Sequence, residues 1–135
     1  MVLGIDCSRY HLPNPTGVEK YTNRLVEALM PQLGTLGYDE VRFYCQRPEQ
    51  EMALKELLEK YGQTKGKIVL IPRLHFWTLV HLSYELFKNR IDVLFVPSHT
   101  MPFVIPKKSL LTVHGFEALS YPEAYGMIQS LYQQF

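Results

Sequence analysis

The sequence predicts an α/β fold with a doubly wound parallel sheet, and three observations predict it. Short apolar runs that read as strands alternate with stretches of helical periodicity, in the order β-α-β-α-β-α-β. The joints between these elements are short, and parallel strands need crossovers of the kind such helices supply. The first run, Val2 to Ile5, is apolar at every position, the pattern of a strand covered on both faces.

Each element follows from its residues. Val2 to Ile5 closes on Asp6 before a polar, proline-containing loop and is the first strand. From Val18, the residues Tyr21, Leu25, Ala28 and Leu29 fall on one helical face while Glu19, Asn23 and Glu27 turn away, which puts Thr16-Gly17 at the helix start. Val41 to Cys45 is β-rich and gives the second strand. Pro48 opens a second helix carrying Ala53, Leu54, Leu57, Leu58 and Tyr61, and Gly62 stops it. Lys67 to Ile71 supplies the third strand. Leu74 to Phe87 is apolar almost all round, which predicts a well-buried helix. There Phe76, Trp77, Tyr84 and Phe87 would serve the core rather than a membrane-contacting face, and His75 and His81 would pack or hydrogen-bond inside.

Ile91 to Val96 and Ser109 to Val113 are the fourth and fifth strands. A loop from His114 to Tyr121 then leads to Pro122, where a further helix begins with Tyr125, Ile128, Leu131, Tyr132 and Phe135 on one side. No stop signal closes that helix, so the pattern is expected to run on past Phe135. Residues 1–135 read as a single Rossmann-like domain cut within its last helix.

Composition narrows the function. A chain of 135 residues, 47% of them hydrophobic, forms one ordinary domain that buries roughly two-thirds of its unfolded surface. Lys+Arg of 14 against Asp+Glu of 13 leaves a net charge of +1, without the basic excess of a nucleic-acid surface. Cys7 and Cys45 form neither a C-x-x-C pair nor a metal-ligand cluster, so no metal site and no disulfide framework is expected, and a reduced, cytoplasmic compartment fits. The N-terminus lacks the basic segment and long apolar run of a signal peptide, and no later stretch is long enough to span a membrane.

In open α/β sheets, ligands bind beyond the carboxyl ends of the strands, near the point where strand order reverses, here between the first and fourth strands. Three loops are expected to converge there: Asp6 to Gly17, Pro97 to Pro106 and His114 to Tyr121. Their polar residues are Arg9, Thr16, Ser98, His99, His114 and Glu117. Gly17 at a helix start would let a phosphate or sugar hydroxyl reach free backbone N–H groups at the positive end of the dipole, although turns also use glycine routinely. The G-x-G-x-x-G fingerprint is absent, which argues against a dinucleotide-dependent dehydrogenase. His114 follows an apolar strand and precedes Gly115, so its ring can project into the crevice as donor or base; a surface loop histidine is the competing reading. His99 sits in a proline-stiffened loop and shapes a pocket wall, Arg9 either pairs an anion or is solvated, and Cys7 is a small buried spacer.

Five segments then occur in order: G-I-D-x-S-R from Gly4 to Arg9, T-G-V-E-x-Y-T from Thr16 to Thr22, D-V-L-F-V-P-S-H-T-x-P from Asp92 to Pro102, T-V-H-G-F-E from Thr112 to Glu117, and Y-P-E-A-Y from Tyr121 to Tyr125. Together they resemble the N-terminal domain of bacterial family 4 glycosyltransferases, with residues 46–90 generic. The resemblance implies the acceptor-side half of a two-domain GT-B enzyme that transfers a hexose with retention from a nucleotide-diphosphate sugar to an acceptor hydroxyl, without a metal or cofactor. It places Gly17 near the donor phosphates and transferred sugar and His114 at the reaction centre. Arg9, Thr16, Ser98, His99 and Glu117 would bind substrate, with Glu117 standing where the motif departs from the commoner His-Asp pattern. The C-terminal nucleotide-sugar domain, with its E-x7-E pattern, is not in this sequence and would act in cis or in trans, so the fragment alone is expected to be inactive. The implied partners are a nucleotide sugar and a carbohydrate or lipid-linked acceptor, and the implied location is the cytoplasm or the periphery of the inner membrane.

Two other classes compete. One is a non-catalytic Rossmann-like carbohydrate-binding module or one half of a split enzyme. The other is a receiver or flavodoxin-like domain, for which the sequence shows neither an acidic cluster nor a Ser/Thr-rich phosphate loop after the first strand.

Overall fold

The computed structural model describes residues 1–115. Five strands, β1 (Val2–Asp6), β2 (Glu40–Cys45), β3 (Gly66–Leu70), β4 (Val93–Val96) and β5 (Lys108–Leu111), form one sheet in the spatial order β3-β2-β1-β4-β5. Every neighbouring pair is parallel. The chain winds outward from β1 to β3 and then returns to the other side of β1, so the fold is α/β and Rossmann-like. Three helices lie in the connections: α1 (Gly17–Leu29), α2 (Pro48–Lys60) and α3 (Ser83–Lys88).

The continuous apolar runs are explained by two cores, one on each face of the sheet. Leu3, Ile5, Cys7, Phe43 and Cys45 meet Val26 of α1 and Leu54 and Leu58 of α2. Tyr44, Leu94 and Val96 meet Trp77, Leu82 and Leu86 on the other face. Because successive strand residues point to opposite faces, a strand feeding both cores must be apolar at nearly every position. The layers meet tightly at Gly4, where a Cβ would lie 2.5 Å from Ile91 Cδ1 and 2.8 Å from the Tyr44 ring.

Helix α2 matches its expected span and ends at Gly62, whose φ of 60° needs the left-handed freedom of glycine. β1 and β2 each run one residue longer than their apolar runs, β3 and β5 start one residue earlier and end one or two earlier, and β4 starts two residues later. Helix α1 starts at Gly17 as expected, but its buried face is another one: Glu19, Thr22 and Val26 are buried, and Tyr21 and Ala28 are exposed. The cause is Glu19, which hydrogen bonds draw inward and which therefore fixes the roll of the helix. After α1 comes a 3-10 turn, Met30–Thr35, that tucks Met30 and Leu33 into the core and has no counterpart in the periodicity reading.

The predicted helix over 74–87 is the largest correction. Phe76 takes a left-handed backbone with φ of 57°, a wide π-helical segment follows at Trp77–Leu82, and only then does α3 begin. The π segment shifts the helical phase, so the apolar residues cannot share one core-facing surface. Trp77 is buried, its Nε1 donating to the Ile71 carbonyl at 2.9 Å, whereas Phe76, Val80, Tyr84 and Phe87 are exposed. His75 is exposed and His81 only half-buried, so neither is the core histidine the sequence suggests. The loop after Gly115, with Glu117, and the expected helix from Pro122 lie outside the described residues. No helix among the described residues is long and apolar enough to cross a membrane.

Candidate functional site

The carboxyl ends of the strands carry the polar chemistry, and the loop after β1 is the most firmly built part. The Asp6 carboxylate is buried and accepts the Ser8 amide at 2.8 Å. Burial raises its pKa, while the bonds from Ser8 and the charge of Arg9 act the other way. From below, the fully buried Gln50 amide donates to the carbonyls of Ser8 at 3.0 Å and Tyr10 at 2.7 Å, and Gln46 donates to Ser8 O at 3.0 Å. The Gln50 carbonyl oxygen in turn accepts the amides of Gln46 at 3.0 Å and Arg47 at 3.2 Å, which caps α2. Three consecutive residues, Ser8 to Tyr10, are thereby held against the sheet with Arg9 projecting outward, about half of its side chain exposed.

Arg9 reaches Glu19 through one guanidinium nitrogen at 3.3 Å. Glu19 also accepts the Thr16 amide at 2.9 Å and the Thr16 hydroxyl, so the first turn of α1 is closed on itself. Burial alone would raise the Glu19 pKa, but the Thr16 hydroxyl, the backbone donors and Arg9 together bring it below the usual value. Thr16 is therefore occupied within the protein. Gly17 beside it is exposed, and a Cβ at that position would meet nothing within 4 Å among the described residues, which leave the approach to the helix N-terminus open.

The loops after β4 and β5 meet through two histidines. His114 Nε2 donates to the Pro97 carbonyl at 2.8 Å, so this nitrogen carries a proton. Its ring lies edge-on to Tyr21 of α1 at 4.9 Å and to His99 at 6.5 Å. The Tyr21 hydroxyl is 3.3 Å from Thr112 Oγ1, tying α1 to the segment that leads to His114. Burial, then Arg9, then His114 lower the pKa of His99, which keeps it neutral beside its two basic neighbours.

His99 is also the wall of a cavity of about 670 Å³ that opens between the loops after β1, β3 and β4. Arg9, Ser98 and His99 from the sequence reading line it, together with Arg73 and His75 from the segment after β3. The structure thus brings Arg9, Ser98 and His99 into one cavity, sets His114 on the far side of His99, and links His114 to the Gly17 helix through Tyr21. Thr16 is turned into its own helix cap. Arg73 and the two glutamines lie outside the three loops the sequence singles out: Gln46 and Gln50 follow β2, one strand from β1, and Arg73 follows β3, two strands from β1. Gln50 had a signal: it stands third in the helix opened by Pro48, the position from which a Gln side chain returns to the capping residue.

A second cavity, about 550 Å³, lies at the amino ends of β1, β4 and β5, between α3 and the segment leading into β5, away from the histidines. Among the described residues, no group of three or more His, Cys, Asp or Glu side chains is placed to hold a metal ion. Cys7 and Cys45 are free and buried, with their thiols pushed up by burial, Cys45 to about 12, so neither is a nucleophile at neutral pH. The sequence matches no family model, and neither curated proteins nor solved structures give a match.

Proposed function

We propose that this chain is the acceptor-side domain of a retaining glycosyltransferase, in which a hexose passes from a nucleotide-diphosphate sugar to an acceptor hydroxyl beside His114. The observation that carries the reading is the convergence of His114, His99 and Tyr21 at the reversal of strand order, next to an open helix N-terminus at Gly17. The resemblance of the five sequence segments supports it.

In this reading the Pro97 carbonyl takes the Nε2 proton of His114, so that Nδ1 of the neutral ring would accept from a hydroxyl of the sugar or acceptor. Gly17 lets donor oxygens approach backbone N–H groups that a side chain would screen. His99, held neutral, adds no charge to the reaction centre. The stabilisation of a departing nucleoside diphosphate falls to the partner domain that the resemblance implies.

The test uses protein expressed from its native reading frame and a panel of nucleotide-diphosphate hexoses, with release of nucleoside diphosphate as the signal. Consumption of one of them, lowered about a hundredfold or more by His114→Ala with an unchanged melting temperature, is the expected outcome. Turnover by His114→Ala equal to the parent removes the role given to His114, and consumption of none of the panel removes the transferase reading.

A further inference from the structure

The cavity on the far side of His99 has a charge that the reaction centre does not use. Arg9 and Arg73 both line it, and among the described residues no carboxylate does. Arg9 spends one nitrogen on Glu19 and leaves the rest of its fork exposed. Arg73, exposed in the segment after β3, makes no hydrogen bond or ion pair with any described residue. The acid paired with Arg9, Glu19, stands outside the cavity lining and is shared with the Thr16 cap, and Asp6 is buried and held by Ser8. Two guanidinium groups facing one space without a carboxylate between them repel each other, and an anion entering that space relieves the repulsion. Planar guanidinium forks match the oxygens of a carboxylate or a phosphate two at a time.

The rest of the wall suits a sugar. Ser98 and His99 supply hydroxyl and imidazole groups, and the apolar side chain of Leu74 borders the same space. The cavity is of the size that takes a small ligand. We propose that this lobe binds a sugar that carries an anionic group, a sugar acid or a sugar phosphate, with its anion gripped between Arg9 and Arg73 and its ring directed toward His99 and His114. That the bound sugar is the acceptor rests on the glycosyltransferase reading; the anion site rests on the cavity alone. The same phosphate chemistry is carried by the diphosphate of a donor, so the test separates the two sources.

The experiment follows the Nε–H resonances of Arg9 and Arg73 by nitrogen-edited NMR while the chain is titrated separately with glucuronate, glucose 6-phosphate, neutral glucose and uridine diphosphate. Glucuronate and glucose 6-phosphate are expected to shift both arginines, glucose to leave them, and Arg73→Gln to weaken both sugar anions about tenfold or more. Arg73 is exposed, so the variant keeps the parent's melting temperature; Arg24→Gln, exposed on α1 outside the cavity, serves as the control that leaves binding unchanged. Uridine diphosphate shifting the two arginines while the sugar anions do not would assign the site to the donor and overturn the proposal, as would no shift from any anion at millimolar concentration. The transferase reading fails at a different readout, turnover by the native gene product, so the two failures are told apart.

Discussion

Replacing Gln50 by leucine tests whether the clamp beneath the Arg9 loop is structural in the sense described. The side chain makes four hydrogen bonds, two donated to the carbonyls of Ser8 and Tyr10 and two accepted from the amides of Gln46 and Arg47. Ser8 O keeps its bond from Gln46, so three backbone groups lose a partner in a site where Gln50 is 0% exposed. At about 1 kcal/mol net for each, and with leucine filling most of the volume, Gln50→Leu is expected to destabilise the protein by about 3 kcal/mol. That is a large share of the roughly 5–15 kcal/mol that holds a typical domain. Urea titration reads the loss as a lower midpoint at unchanged slope. Amide exchange at residues 8–10 should accelerate more than the global loss requires. Gln50→Glu is the informative companion: it keeps the acceptors but buries a charge, so its deficit should shrink as pH falls and the carboxyl regains a proton to donate. A loss below about 1 kcal/mol for Gln50→Leu, or unchanged exchange at residues 8–10, would refute the clamp.

Gly4→Ala places a Cβ against Ile91 and the Tyr44 ring in the central strand, and overpacking of this kind should cost about 1–3 kcal/mol in the same titration. Buried Asp6 and half-buried His99 set opposite pH dependences. The raised pKa of Asp6 contributes stability that is full below the unfolded value of 3.8 and is lost as pH rises from there through the folded pKa, so Asp6→Asn should remove that loss and leave the protein more resistant to heat at neutral pH. The lowered pKa of His99 makes stability fall as pH drops below the unfolded value of 6.5 toward the folded one, and His99→Gln should flatten that limb of a melting-temperature profile.

What the sequence reveals here is what depends on backbone periodicity. Strands that feed two cores must be apolar at nearly every position, so β1, β2 and β4 are legible from Val2, Val41 and Val93 onward. Proline and glycine likewise mark α2, because Pro48 and Gly62 act through their own backbone. Where the signal fails, a side chain or a backbone irregularity has overridden periodicity. Glu19 counts as polar in any hydrophobicity pattern, yet it is buried because Thr16 and Arg9 satisfy it, and α1 turns with it. Over 74–87 the run of aromatic residues reads as a core helix, but the left-handed turn at Phe76 and the π segment after it cannot be inferred from composition. The site follows the same division. Arg9, Ser98 and His99 meet in the cavity because they stand at strand ends, a placement the sequence shows, whereas Arg73 comes into it only through the path of the irregular segment after β3.

That path gives the cavity two walls of unequal stiffness. On one side, residues 8–10 are fixed from below by Gln46 and Gln50, and Ser98 and Thr100 are buried beside Pro97. On the other, residues 72–76 are exposed, and the chain is tied back where Trp77 Nε1 reaches the Ile71 carbonyl. A ligand that meets Arg9 finds its backbone already held, and little entropy is lost in ordering it; a ligand that meets Arg73 must order a side chain that stands on an exposed stretch. Substitutions on the two walls should therefore behave differently. Changes beneath Arg9 alter stability and anion affinity together, because the same hydrogen bonds support both. Changes at Arg73 alter affinity alone, and shortening the freedom of its segment should tighten binding without adding a contact.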